Sequence, residues 1–367
     1  MIYLDSGATS LVKPESVGRA VADAMRTCGN PGRGGHRAAM MAAERVYSCR
    51  ESAAELFDCG PEQVVFTANC THGLNIAIRT LVKPNSRVLI SGFEHNAVTR
   101  PLHALRAKIT VAGRQLFDPE DTLRSFRAAL DRGVDAAVFT HVSNVFGYIL
   151  PVQAMAAMCR ERGVPFVIDG AQSAGTIPIS LEALGADFIA MPGHKGLLGP
   201  QGTGILLCNR LPEPLMAGGT GSESIRQSMP DALPERAEAG TLNVPGIAGL
   251  DAGLRYLKRV GVEEIGRREH EAAKGCARML QQLGFRVFHG PSQAGTVSFV
   301  AASDGEEAAE KLGRRGIAVR AGLHCAPLAH ESAGTLDTGT VRVSFGIDAG
   351  YGQVEALRRE ILASGIR

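Results

Sequence analysis

Tryptophan is absent from the 367 residues, and aromatic side chains make up only 5% of them. No cluster of Lys and Arg is interleaved with aromatics, so the stacking platforms of a nucleic-acid surface are missing. The formal net charge is only +2, which builds no field that would draw a polyanion or an anionic membrane. No apolar run approaches the roughly 20 residues of a membrane-spanning helix. Met1-Ile-Tyr-Leu-Asp5 runs straight into a strand-like pattern, without a basic segment or small-residue cleavage site. These absences predict a cytoplasmic protein with neither nucleic-acid nor membrane partners. Internal repeats and low-complexity segments are missing as well. The eight cysteines, at 28, 49, 59, 70, 159, 208, 276 and 325, include no Cys-x-x-Cys pair. That argues against a structural zinc site, and no metal is expected. In a reducing compartment most of these cysteines are expected to be thiols that fill small spaces in the core.

Apolar residues make up 45% of the chain and charged residues 21%, ordinary values for a globular protein long enough for two domains. Short apolar runs at 63–67, 87–91, 136–141, 165–169, 188–191 and 204–207 read as strands. Helical patterns at 73–82, 122–131 and 154–162 lie between them. This alternation predicts an α/β fold with a mostly parallel sheet covered by helices on both faces. The pattern changes near residue 255. A long helix at 262–283 is followed by short strands at 285–289, 296–301, 317–321 and 341–345, then a closing helix at 353–363. The expected organisation is a large domain over 1–255 and a smaller α+β domain over 256–367. The extreme N-terminus is a candidate to pack on the smaller one. The Gly- and Pro-rich stretch 212–245 reads as a long irregular crossing of the kind that often carries function.

Ligands of parallel sheets collect at the carboxyl ends of strands. Two chemically suggestive residues sit there: Asp169 ends one apolar run, and Lys195 follows another in Pro192-Gly-His-Lys195. A lysine amine can form a Schiff base and afterwards shuttle protons. A carboxylate can pair with a protonated pyridine nitrogen and keep the ring an electron sink. Together they point to pyridoxal phosphate, and hence to chemistry on amino acids. Thr67-Ala-Asn-Cys70-Thr71-His-Gly73 follows a strand and opens a helix, where backbone N–H groups bind phosphate. A plain N-cap is the simpler reading of that stretch. His95 follows the next strand, where an imidazole could stack on a flat ring or simply be a satisfied histidine. Asn144 ends a further strand, as a donor to a ligand or as a turn residue. The glycines at 196, 199, 202 and 204 precede a strand rather than open a helix, so a dinucleotide fingerprint fails. Cys325, in Arg320-Ala-Gly-Leu-His-Cys325-Ala-Pro327, is a candidate nucleophile if it is exposed. Arg342 could clamp a carboxylate through two parallel hydrogen bonds or serve as a structural ion pair.

In this order the motifs resemble the class V aminotransferase family and, within it, the cysteine desulfurases. The resemblance runs from Tyr3-Leu-Asp-Ser-Gly-Ala-Thr9 to the last helix. Its specific parts are Glu94-His95, Asp169-Gly-Ala-Gln172, Gly193-His194-Lys195, Glu238-Ala-Gly-Thr241-Leu-Asn243 and Arg320-Ala-Gly-Leu-His-Cys325. The last is similar to the group II motif Arg-x-Gly-His-His-Cys-Ala. The resemblance implies fold type I of the pyridoxal-phosphate enzymes, with a seven-stranded sheet in the large domain. It implies that Lys195 is the Schiff-base lysine, that Asp169 partners the pyridine nitrogen, and that Gln172 donates to the ring hydroxyl. His95 would stack on the ring. Thr71 and His194 would be phosphate ligands, and Cys70 would also contact the cofactor. Thr241 would reach the phosphate of the other subunit, which implies a homodimer. Asn144 and Arg342 would hold the substrate carboxylate, and Cys325 would carry the persulfide before a sulfur-acceptor protein takes it. L-cysteine is then the substrate and L-alanine the product.

Two positions depart from the pattern. Pro192 stands where a Ser or Thr is frequent, so a hydroxyl contact to the phosphate is lost, with Ser222 or Ser224 as possible compensation. Leu323 replaces the first histidine before the cysteine. Selenocysteine lyase shares the chemistry and scaffold and stays open. So does an epimerase or aminotransferase, which would not need Cys325. A non-catalytic sulfur-transfer scaffold is opposed by the intact Asp169, Gln172 and Lys195.

Overall fold

The computed structural model describes residues 1–32, 34–302 and 304–366. Its largest sheet has seven strands, in the order Val64–Thr67, Gly204–Cys208, Phe188–Pro192, Phe166–Asp169, Ala136–Thr140, Arg87–Ser91 and Lys108–Ala112. Six run parallel, and Gly204–Cys208 alone is reversed. The expected mostly parallel sheet is therefore present. Its central strands are buried on both faces, which is why they read as continuous apolar runs. Alternate residues serve opposite faces: Leu89 enters one apolar cluster, and Val88 and Ile90 enter another.

Helix Cys70–Leu81 starts on Asn69, whose side chain accepts the His72 N–H at 2.9 Å. Helix Asn96–Ala104 starts on His95 in the same way, with the imidazole as acceptor. On the other side of the sheet, Val244–Val260 packs against the two long helices Glu15–Thr27 and Arg37–Phe57.

A second, four-stranded antiparallel sheet orders Arg320–Gly322, Thr340–Ser344, Thr296–Val300 and Arg286–Phe288. It has its own apolar cluster, built around Val297, Phe299, Val341, Val343 and Leu357. The expected strand at 317–321 is divided. Ile317–Ala318 pairs in parallel with Ile2–Tyr3, and Arg320–Gly322 pairs with Thr340–Ser344. The chain changes sheets at Val319, whose side chain packs on the small core. The edge strand Lys108–Ala112 has no counterpart among the expected runs. Lys108 and Ile109 are exposed there, so no continuous apolar signal marks it. The 209–243 segment holds no regular helix or strand, in line with the long crossing expected there. No helix among the described residues is long and apolar enough to cross a membrane.

Candidate active site

The carboxyl ends of the parallel strands gather most of the expected residues into one pocket. Asn69, Cys70, Thr71, His95, Asn144, Asp169, Gln172, Pro192, His194 and Lys195 all line it. Asp169 is the last residue of its strand and is 2% exposed. Its Oδ1 accepts the Ala171 N–H at 2.9 Å and the Cys70 thiol at 3.4 Å. Lys195 is half-buried, three residues beyond the Phe188–Pro192 strand. Burial lowers its proton affinity, the Arg342 charge adds to that, and Cys70 and Asp169 oppose it. The close turn before it demands glycine, because a Cβ at Gly193 would come 2.1 Å from Thr203 Oγ1.

Both pocket histidines are held neutral. His95 Nδ1 accepts the Ala97 N–H at 3.0 Å, so its remaining proton sits on Nε2. Burial lowers its basicity further. His194 Nδ1 lies 3.0 Å from Thr9 Oγ1, and burial beside Lys195 pushes its pKa down to about 4. Glu94, next to His95, is fully buried and ties two strand ends together. Its carboxyl group accepts from Ser91 on one strand and from the Thr140 N–H on the next. In the sequence it is half of the Glu94-His95 pair, with no role of its own assigned by the motif. Its signal was a carboxylate placed directly after the apolar Phe93.

The polar groups around the pocket are already connected. Gln172 Nε2 donates to the Gly7 carbonyl at 2.9 Å. Asn144 Nδ2 donates to the His324 carbonyl at 2.8 Å, and its Oδ1 is buried with no partner. Arg342 is 2% exposed. Its Nη1 donates to the Asn144 carbonyl at 2.9 Å, and its Nη2 donates to Asp5 at 2.8 Å. Its Nε is buried and unpartnered. Nothing local in the sequence marks Asp5 for a role. Only the fold brings it to Arg342, 337 positions away.

Cys325 is the single exposed thiol among the described residues. Its carbonyl accepts the Asn96 N–H at 2.7 Å, next to His95. His324 stacks on His330 with ring centroids 5.9 Å apart and has a nitrogen 3.1 Å from the Thr340 carbonyl. Burial, with Arg342 and His330 adding, pushes the His324 pKa down to about 3.

Thr241 is not in this pocket. It is exposed in a separate groove with His36, Tyr47, Arg50 and Leu242. Ser222 pairs with Thr220 at 3.1 Å, and neither Ser222 nor Ser224 lines the Lys195 pocket of the same chain.

A half-buried amine facing a buried carboxylate, a flat neutral imidazole and a helix start make a set of groups that suits a phosphorylated, flat, basic ring. Arg342 is not among the residues lining the Lys195 pocket, and with both Nη atoms bonded it keeps only the buried Nε–H as an unpartnered donor rather than the two parallel bonds expected of it.

Residues 2–357 match the family model described as aminotransferase class-V. A probable cysteine desulfurase from Pyrococcus abyssi is 32% identical, over 97% of this chain and 92% of its own. One from Xylella fastidiosa is also 32% identical, over 99% and 90%. The solved apo structure of a cysteine desulfurase from Thermococcus onnurineus superposes with a TM-score of 0.88 at 31% identity, covering 99% of this chain and 95% of that one.

Proposed function

The chain belongs to the class-V aminotransferase family, and on that premise we propose that it is a cysteine desulfurase dependent on pyridoxal phosphate. It converts L-cysteine to L-alanine and passes the sulfur to Cys325. The observation that carries this reading is one juxtaposition. Lys195 and Asp169 share a pocket, and the backbone that carries the exposed Cys325 is tied beside it, by the Asn96 N–H to the Cys325 carbonyl and by Asn144 to the His324 carbonyl.

Lys195 and Asp169 would hold the ring, with His95 against its face and Gln172 at its hydroxyl. Cys70, Thr71 and His194 would line the phosphate at the start of the Cys70–Leu81 helix, where the N–H groups favour an anion. Bound pyridoxal phosphate supplies an electron sink that stabilises negative charge at the amino acid's Cα. The lowered proton affinity of Lys195 favours the neutral amine, the form that acts as nucleophile and base. Lys195 Nζ then takes the Cα proton and later returns a proton to the product. Asn144 and Arg342 orient the substrate carboxylate. The Cys325 thiolate attacks the substrate sulfur, the S–S bond of a persulfide forms as the substrate Cβ–Sγ bond breaks, and the electron pair of that bond goes to the carbon that is protonated to become the methyl group of alanine. The exposure of Cys325 suits hand-over to an acceptor protein.

The position of Thr241 outside its own chain's pocket supports a homodimer in which each Thr241 serves the partner's phosphate. The division near residue 255 belongs to the same proposal, with Lys195 on one side and Cys325 and Arg342 on the other.

The test is incubation with L-cysteine, followed by mass spectrometry for alanine and for a sulfur adduct on Cys325. Cys325→Ala should keep the visible absorbance of the bound cofactor and lose alanine formation by about 100-fold or more. Lys195→Ala should lose that absorbance signature. Undiminished turnover in Cys325→Ala would sink the assignment.

A further inference from the structure

Arg342 is clamped by protein groups on two sides. Asp5 Oδ1 takes its Nη2, and Arg320 grips the same carboxylate from the other side with Nη2 at 2.8 Å and Nε at 3.1 Å. One buried carboxylate thus sits between two guanidiniums, and counting two arginines against one aspartate leaves the cluster at net +1. The backbone fixes Asp5 independently. It bridges to Ser344, two residues from Arg342, and the Ser6 N–H donates to the Ser344 carbonyl at 3.2 Å. Gly7 lies over the guanidinium, where a Cβ would come 3.3 Å from Arg342 Cζ. The one Arg342 nitrogen left buried and unpartnered is Nε.

Resting on the desulfurase reading, we propose that Asp5 is the positioning residue for the substrate's α-carboxylate. It pins Arg342 so that Nε, the one guanidinium nitrogen without a partner, is held in a fixed place beside Asn144 of the pocket lining, and with Arg320 it leaves a single positive charge for a single incoming carboxylate. The site is thereby matched to an amino acid with a single carboxylate. Without the charge on Asp5, the buried Arg342 guanidinium and the half-exposed Arg320 guanidinium face each other with no anion between them, and repulsion shifts Arg342 from its place. A carboxylate in the ligand, and no other part of it, should register the loss.

The experiment uses the full chain loaded with pyridoxal phosphate. Its visible absorbance is titrated with L-alanine and with L-alaninamide, which carries a neutral amide in place of the carboxylate. In Asp5→Asn, the L-alanine Kd should rise about tenfold while the L-alaninamide Kd stays within about twofold. KM for L-cysteine should rise with the L-alanine Kd, and kcat should change less than about threefold. Equal weakening of both ligands means that Asp5 serves only the fold, and overturns the proposal. Tighter L-alanine binding means that Asp5 competes with the ligand, and also overturns it. If Asp5→Asn does not fold, Arg320→Gln carries the test from the half-exposed side of the clamp. There the alanine-to-alaninamide preference should fall at least about threefold, and an unchanged preference overturns the proposal. A wild-type chain that makes no alanine from L-cysteine and ignores L-alanine would instead remove the desulfurase reading, and this proposal with it.

Discussion

The cysteines illustrate how environment, more than identity, decides what a residue does. Cys49, Cys70, Cys159, Cys208 and Cys276 are buried, and burial pushes the thiols of Cys159 and Cys276 up to about 12. Cys70 is raised by burial and by the neighbouring Asp169 carboxylate, so it remains a thiol that can donate to that carboxylate. Cys325 alone is exposed among the described residues. Iodoacetamide at neutral pH should therefore label Cys325 first, and Cys325→Ala should abolish the fast phase. Peptide mass spectrometry reads this directly, and early labelling of Cys70 would contradict the assigned environments. Cys325 was legible in the sequence because its motif is local. The donor role of Cys70 was not, since its partner lies 99 positions away, and Asp5 was hidden for the same reason.

At the scale of elements, the loop carrying Cys325 is under conformational tension. His324 and Cys325 adopt φ values of 49° and 56°, a left-handed pair of non-glycine residues costing about 1 kcal/mol or more each. Three hydrogen-bonding contacts hold the pair there: Asn96 N–H to Cys325, Asn144 Nδ2 to His324, and His324 Nε2 with Thr340. Removing the Asn144 amide should release about 1 kcal/mol of that tether. Asn144→Ala is expected to speed amide hydrogen exchange over 323–326 about fivefold and to raise KM for L-cysteine. Unchanged exchange would mean that the remaining contacts suffice to hold the loop. This tension is invisible in Leu323-His-Cys325, where no glycine announces a left-handed turn. The central parallel strands, by contrast, were legible as apolar runs, because burial on both faces removes the polar alternation. Legibility fails where one face is wet, as at Lys108–Ala112. It also fails where one run serves two sheets, as at Val319.

At the scale of the whole molecule, the two sheets meet across the Lys195 site, and the seam carries a buried acid. Glu269, on helix Val262–Gln282, is 7% exposed. It faces a small cavity also lined by Ser6, Gln172, Lys195, Thr296 and Gly346. Burial, with a smaller contribution from Asp348, raises its pKa to about 8, and among the described residues no hydrogen bond offsets this. The folded protein therefore keeps this proton at neutral pH, whereas the unfolded chain releases it near the ordinary 4.5. An acid whose folded pKa is raised makes the unfolded state the poorer proton binder above 4.5. Stability must then fall as pH climbs from there and level off above about 8. The loss attributable to Glu269 is about 4 kcal/mol by the top of that window. Glu269→Gln keeps the shape and cannot ionise. Its urea-unfolding free energy should match wild type near pH 4.5 and exceed it increasingly toward pH 8. Comparing the two proteins at each pH cancels every other titrating group. A difference that stays flat with pH would mean that Glu269 is ionised in the folded state, with water reaching the seam between the sheets.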